Sequence, residues 1–460
     1  MCAHMIVILK EESDLVIADE VIFIIDALEN SGYEAYAVGG CIRDSLLGKD
    51  PKDWDVCTSA LPEQVKMCFE GRHIIETGLR HGTVTLMLDH KPFEITTYRV
   101  DGKYKDNRRP ETVRYVNVLK RDLARRDFTI NAMAYNPKTG IVDYYGGRED
   151  LANGLIKCVG NPNKRFKEDA LRIMRAMRFA SVFGFSVESG TAQAMHDNKK
   201  LLGNIAAERI AVELGGLITG GKAGGIISAH LPVILEIIPE LEQSIGFEQN
   251  NPYHCYDVLS HILFSVDAAP RELVIRLTML LHDIAKPKCY TQSDDGSGHF
   301  HGHPQESSEM SKKILRRLKY DTNTIETVTD LVLYHDSDVK QERKHIKRWL
   351  NKIGEVRLRQ LLVVKRADAI AQSEKYRKAK LDGIDEVLAL LDEIIEQQQV
   401  FTLKGLALTG RDLIDAGVAE GTQIGVVLRK LLDMVIAEEA ENDKAVLLAI
   451  SKELIRGGNR

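Results

Sequence analysis

Asp53 and Asp55 flank Trp54 in the run Asp-Trp-Asp-Val, just downstream of a paired glycine, Gly39-Gly40. On a β-strand alternate side chains share a face. A strand here would aim both carboxylates one way and bury Trp54 and Val56 on the other. Two carboxylates on one rigid face repel unless cations sit between them. Oxygen ligands of this kind suit Mg²⁺, which keeps several waters and completes its shell with substrate phosphates. Glu94 offers a third carboxylate. Its neighbours Phe93 and Ile95 would face a core, leaving Glu94 on the opposite side, where an adjacent strand could bring it beside the pair. Acids around two metals suit phosphoryl or nucleotidyl transfer, one metal activating the attacking hydroxyl and the other neutralising the leaving pyrophosphate. The Gly39-Gly40 turn would expose backbone N–H groups at the start of a helix, and Arg43 adds a fixed cation, an arrangement suited to a triphosphate.

Such acids need a sheet to hold them, and the first third of the chain supplies strand candidates. Residues 34–40, 54–59, 72–78, 82–88 and 93–100 are short runs of β-branched and aromatic residues bounded by turn residues. Residues 14–33 have helical apolar spacing that stops at Gly32. From about Leu151 helical patterns dominate to the C-terminus, broken by polar loops at 248–254 and 292–304. The last 60 or so residues carry spaced glycines that predict short helices joined by tight turns.

The bulk composition narrows the field. A chain of 460 residues exceeds one compact core, so two or more domains are expected. Its apolar fraction of 44% is that of a globular protein. With a net charge of −5, any nucleic-acid surface must be a local patch. Seven scattered cysteines with no CxxC pair argue against a disulfide framework or a zinc knuckle. The N-terminus lacks the marks of a signal peptide, and no apolar run is long enough to span a membrane. A cytoplasmic protein is expected.

The stretch 168–179, Glu-Asp-Ala-Leu-Arg-Ile-Met-Arg-Ala-Met-Arg-Phe, reads as a helix. Glu168, Asp169, Arg172, Arg175 and Arg178 fall on one half of its wheel, and Ile173, Met174 and Met177 on the other. Cytosine and adenine both present an exocyclic amino donor beside a ring-nitrogen acceptor. A carboxylate accepts from the first and a guanidinium donates to the second. Uracil and guanine present the reverse order. Asp169 and Arg172 can therefore read C and A without a nucleic-acid template, with discrimination of ~10⁴ or more from the unpaired groups a wrong base leaves.

The runs 39–60, 125–137 and 164–179, in this order, resemble the class II CCA-adding tRNA nucleotidyltransferases and their bacterial poly(A) polymerase relatives. The likeness covers about residues 20–220. It implies an α+β chain: a nucleotidyltransferase head on a mixed β-sheet (1–150), then an all-helical neck carrying the base-reading helix (151–225), a body with an HD domain (226–370) and a tRNA-binding tail (371–460). It implies that Asp53 and Asp55 ligate Mg²⁺, to which the strand reading adds Glu94 as a third catalytic carboxylate. Gly40, Arg43, Arg126, Arg175 and Arg178 would contact the nucleotide beside Asp169 and Arg172, and Asp127 and Asn131 would support the pocket. Residues 125–134 alone would otherwise be a capped helix. The charged stretch 96–116 reads as a mobile loop, and in the family a loop here accompanies full C, C and A addition. The implied partners are the tRNA 3′ end, CTP and ATP, with phosphate contacts from the neck (Lys164, Arg165, Lys167 and the arginines after them) and from the tail.

A second constellation follows. His254, the His282-Asp283 doublet and Asp368 resemble the primary ligands of the HD phosphohydrolases, with His303 and His335 completing a second metal. Nitrogen and carboxylate donors suit Mn, Fe, Ni, Zn or Mg, and a metal-bound hydroxide attacks phosphate esters. Rival expectations are a poly(A) polymerase, an enzyme adding only CC or only A, and an HD phosphohydrolase whose head merely binds tRNA.

Overall fold

A computed structural model describes residues 7–102, 104–105, 109–110, 112–418 and 420–457. The chain divides into two compact units, Met1–Glu242 with Arg316–Tyr320, and Gln243–Leu315 with Asp321–Arg460.

The first unit opens on the helix Asp19–Asn30, which buries Val21, Ile24, Ile25 and Leu28 at helical spacing. Seven strands form its main sheet: β1 (Ala35–Val38), β2 (Asp55–Thr58), β3 (Ile74–Ile75), β4 (Thr83–Leu88), β5 (Lys91–Thr97), β6 (Met133–Asn136) and β7 (Gly140–Asp143). Their order is β7-β6-β1-β2-β5-β4-β3. Every neighbouring pair is antiparallel except β2 and β5, which run parallel. A parallel pair needs a crossover, and residues 59–90 supply it with the helix Pro62–Cys68 and strands β3 and β4. The mixed sheet agrees with expectation. β6 and β7 were not anticipated, and 125–134 is not a capped helix: it contains a 3₁₀ turn, Thr129–Asn131, that leads into β6. On one side of the sheet Val38, Cys57, Tyr98, Leu123 and Ala134 form a closed core.

Between β5 and β6, residues Arg99–Asp101 pair with Val113–Tyr115, and Tyr104–Lys105 with Arg109–Pro110. The expected mobile loop at 96–116 is therefore paired at its base. Residues 103, 106–108 and 111 lie outside the described residues.

Helices then take over. Glu168 ends the helix Pro162–Glu168, and Leu171 begins Leu171–Phe183. The expected single helix across 168–179 is thus broken. Asp169 lies in the break with extended backbone, φ −137° and ψ 105°. The remaining wheel assignment is as expected, with Ile173, Met174 and Met177 fully buried.

Among its described residues the second unit is helical apart from one short hairpin, Thr291–Gln292 with Gly298–His299. Its long helix Arg343–Ile370 is interrupted at Gly354, whose φ of 76° is costly for other residues. The glycine-spaced end of the chain closes around its own core, which includes Leu408, Leu413, Leu431 and Leu447. Among the described residues no single helix is long and apolar enough to cross a membrane.

Candidate active site

β2 begins at Asp55, so strand alternation places Asp55 outward and Val56 in the core, as expected. Asp53 sits in the bend just before the strand, exposed, and Trp54 is only half-buried. The bend, rather than the pleat, therefore sets the direction of Asp53. Asp55 and Glu94 are register partners across the parallel pair β2–β5. Phe93 and Ile95 point into the core, which puts Glu94 on the open face. Desolvation raises the Asp55 carboxyl above its ordinary value; Arg126 opposes this, while Glu94 and Asp53 add to it. Asp55 thus feels both other acids, with the Arg126 guanidinium acting against them; carboxylates grouped around one strand start are the oxygen donors that a hard divalent ion takes.

Gly39 leaves β1 with φ +89°, and a Cβ there would lie 2.8 Å from Arg126 Nη1. Glycine is required both by the backbone and by the guanidinium beside it. Gly40 starts the short helix Gly40–Leu46. Arg43 on that helix is buried: it pairs with Asp44, donates to the Asn131 carboxamide oxygen, and lies against the rings of Phe179 and Phe183. Asn131 in turn donates to Asp127 Oδ1 at 3.0 Å.

Asp127 is the hub of this region. Arg175 donates to its Oδ2 through Nε at 2.9 Å and Nη2 at 2.7 Å. Burial alone would raise the Asp127 carboxyl, but the charges of Arg175 and Arg172 and the hydrogen bonds from Asn131 and Arg175 hold it at about 2. Arg178, by contrast, pairs with Glu213 at 2.6 Å and covers the Phe179 ring.

Asp169 and Arg172 line a cleft of about 600 Å³ together with Arg126, Asp127, Arg175 and Arg209. Asp169 Oδ1 caps the Leu171 N–H at 3.1 Å, and Oδ2 lies 3.4 Å from Arg209 Nη2. Arg172 donates to Glu168, and to the carbonyl oxygens of Arg165 and Arg125. Both side chains expected to read a base are thereby fixed by the protein's own groups. Arg126 lines the cleft, and its charge also acts on Asp55. Sequence reasoning missed Arg209 and Glu213. Their signal was an Arg-Ile-Ala-Val-Glu spacing that puts both on one face of the helix Ala207–Ile218.

The histidine constellation lies wholly in the second unit. Asp283 bridges two pairs: its Oδ2 is 3.3 Å from His261 Nε2 and 3.2 Å from His282 Nε2, and its Oδ1 is 3.3 Å from His303 Nε2 and 3.4 Å from His335 Nε2. Asp368 Oδ1 lies 2.9 Å from His261 and 3.7 Å from His282. His282, Asp283, Asp368, His303 and His335 come together as expected, but His254 does not join them as a ligand; His261 takes that position. His254 stands in an irregular segment with its ring 5.0 Å from that of His261. His261 is fixed on the helix Val258–Ala268, which Asp257 caps. Each clustered imidazole turns Nδ1 to a backbone carbonyl: His261 to Ala371, His282 to Met279, His303 to Phe300 and His335 to Val332. That leaves every Nε2 facing inward, the orientation of metal-bound histidine. Asp283 Oδ1 is buried without a hydrogen bond, which also fits a cation. Burial works against charge on His282, yet Asp283 and Asp368 raise its imidazole to about 10. Among the described residues the only sets of three ligand atoms within 4.8 Å of one another are His261-His282-Asp283 and Asp283-His303-His335.

The fold and the acid-bearing sheet define a class. The family model of the poly A polymerase head domain matches residues 35–157, that of the probable RNA and SrmB-binding site of polymerase A matches 184–229, and that of tRNA nucleotidyltransferase domain 2 (putative) matches 303–450. The chain is a nucleotidyltransferase of the poly(A) polymerase-head type. The CCA-adding enzyme of Pediococcus pentosaceus is 31% identical over 441 residues, covering 93% of this chain and 96% of that protein. The Bacillus stearothermophilus CCA-adding enzyme in complex with CTP superposes with a TM-score of 0.67 at 27% identity, over 96% of this chain and 98% of that one. The Thermotoga maritima enzyme complexed with tRNA shares the fold at a TM-score of 0.62 and 19% identity, over 97% of this chain and 99% of that one. This chain belongs to the family of CCA-adding enzymes.

Proposed function

We propose that this chain adds C, C and A to the 3′ end of tRNA from CTP and ATP, releasing pyrophosphate, with Asp169 and Arg172 reading the incoming base. One observation carries the reading: a single cleft holds the Asp169–Arg172 pair and Arg126, and the charge of Arg126 reaches Asp55. This supports a base-reading cleft that lies beside the acidic centre. Asp53, Asp55 and Glu94 would hold Mg²⁺, which supplies activation of the tRNA 3′ hydroxyl and charge neutralisation on the phosphates. The chain's own residues do the positioning. Gly40 and Arg43, with Arg126, steer the triphosphate. Asp127 anchors Arg175 beside the base, and Arg178, held by Glu213, braces the same helix through Phe179. Such an enzyme works in the cytoplasm, where tRNA matures. Incubating tRNA that lacks its end with CTP, ATP or both tests the reading. Addition of two C with CTP alone and CCA with both is expected. Only CC with both, only A, or a run of A would support the rival enzymes.

A second reading is favoured by the Asp283-bridged histidines. Two divalent metals would fit there, His261, His282, Asp283 and Asp368 holding one and Asp283, His303 and His335 the other. A cavity of about 710 Å³ opens onto them. Hydrolysis of a phosphate ester, such as a 2′,3′-cyclic phosphate at a damaged tRNA end, is the chemistry this site suits. No phosphate release with any of Mn, Fe, Ni, Zn or Mg would exclude it.

A further inference from the structure

Tyr253 lines the same 710 Å³ cavity as Asp283, His303, His335 and Asp368, a size that suits a small organic ligand. Its ring is 45% exposed, yet its position is held. The Tyr253 N–H donates to Asn251 Oδ1 at 2.9 Å, and its carbonyl accepts from the Ser373 N–H at 2.9 Å. The ring meets that of Tyr376, on the helix Glu374–Glu396, at 4.6 Å between centroids and 49° between planes. A fixed aromatic ring left open on a cavity wall is a surface for another flat group. Two connections tie it to the histidine–aspartate cluster. Tyr253 precedes His254, whose ring lies 5.0 Å from that of His261. Lys380 stands 5.3 Å from the Tyr253 ring centre and donates to Gln372 Oε1, and the buried Gln372 donates through Nε2 to Asp368 Oδ2 at 2.8 Å. The other lysine of the cavity, Lys286, is buried and already bound to Asp283 at 2.7 Å and to Gln249 at 2.9 Å. Lys380 is exposed and has no carboxylate partner among the described residues, so it is the cavity lysine left to meet an anion.

The geometry points to Tyr253 as the stacking platform for the nucleobase of the ester that the histidine–aspartate cluster takes, with Lys380 as the cation between base and phosphate; this rests on the hydrolytic reading of that cluster. A phosphate at the cluster leaves the organic part of its ester to run along the cavity wall, where a flat ring finds a flat partner. The ligand class is therefore a nucleoside phosphate such as a 2′,3′-cyclic phosphate, and not a bare sugar phosphate. Stacking needs only a π-face, which every base has. The cavity should accept all four bases, in contrast to the Asp169–Arg172 cleft, where a carboxylate and a guanidinium select among them.

The test mixes the full chain, loaded with Mg²⁺ or Zn²⁺, with 2-aminopurine riboside 2′,3′-cyclic phosphate. Saturating CTP keeps the head occupied, and fluorescence is read by stopped flow before any hydrolysis. Stacking should quench the base with the natural chain, with Tyr253→Phe and with Tyr253→Trp, and Tyr253→Ala should lose the quench. In steady state Tyr253→Ala should raise the KM for the cyclic nucleotide roughly tenfold, with the change carried by KM and not by kcat. The KM for methyl riboside 2,3-cyclic phosphate, which has no base, should stay. CTP incorporation into tRNA by the head should also stay, which shows that the variant folds. Tighter binding of a short RNA ending in the same nucleoside would mark an RNA end as the source of the ligand, and equal binding a free nucleotide. No quench with the natural chain, an undiminished quench with Tyr253→Ala, or an equal rise in KM for the base-free ester would overturn the inference. A natural chain that quenches the base yet releases no phosphate with any metal would count against the hydrolytic reading alone, because stacking is measured separately.

Discussion

Asp55 and Glu94 are register partners on adjacent parallel strands, one at the start of β2 and the other in the middle of β5. Residues 39 positions apart in sequence are thereby set side by side on the only parallel pair of the main sheet. The relationship gathers negative charge at one place, and it predicts a trade between function and stability.

That trade shows in Asp55→Asn. The folded carboxyl is raised, by desolvation first and then by Glu94 and Asp53 against the pull of Arg126. A raised carboxyl costs stability where it is ionised, above the unfolded value of about 3.9. Neutralising it should raise the melting temperature at pH 7 in EDTA, while nucleotide addition falls by about 10³ or more, the equivalent of several kcal/mol of lost metal stabilisation. A lowered melting temperature would contradict this electrostatic picture.

Asp169→Ala and Arg172→Ala should lose selectivity more than they lose folding. The discrimination of CTP over UTP, about 10⁴ or more in a site that leaves wrong-base groups unpaired, should shrink to within roughly 10². The ratio of kcat/KM values for the two nucleotides reports it. Equal losses for both nucleotides would mean the pair merely supports the cleft.

The Asp127–Arg175 pair predicts an acid limb of stability. Asp127 is held at about 2 against burial by Arg175, Arg172 and Asn131. A depressed carboxyl contributes stability that is complete above its unfolded pKa, about 3.9, and is lost as pH falls through about 2. Arg175→Met should cost about 2 kcal/mol at pH 7, less than a fully buried pair because Arg175 is one-third exposed. The difference from the natural chain should narrow as pH falls from 4 to 2, which denaturant titration at each pH measures.

In the second unit the prediction separates two histidines. His261→Ala should lower the bound divalent metal counted by elemental analysis, whereas His254→Ala should leave the count near that of the natural chain. CTP incorporation should be little changed in both. Metal lost equally from both variants would restore His254 as a ligand.

What the sequence could show depended on local regularity. Period-two runs such as Thr83–Leu88 show their strand directly, because one face is buried and the other is not. Residues 127–134 are buried without a break, so alternation vanishes and β6 was hidden in an apparent helix start. The break at Asp169 carries no glycine or proline, and periodicity runs straight through it. Asp53, Asp55 and Glu94 stood out in the sequence as acids on or beside strand candidates. The register that pairs two of them did not, because it depends on a crossover of some thirty residues. His254 was named from its place in the HD-type order of ligands, and His261, seven residues on, was not considered. Only the capped helix and the inward-facing Nε2 distinguish His261 from its neighbour.

The central claim, that one acidic centre on β2 and β5 serves the Asp169–Arg172 cleft, is tested most directly by following the 3′ end of tRNA lacking CCA. The natural chain and Asp55→Ala would each be given CTP, ATP and Mg²⁺. The account predicts stepwise C, C and A with one pyrophosphate per step for the natural chain, and no extension by Asp55→Ala although it still binds tRNA and CTP. Extension by Asp55→Ala at a rate close to that of the natural chain would contradict it.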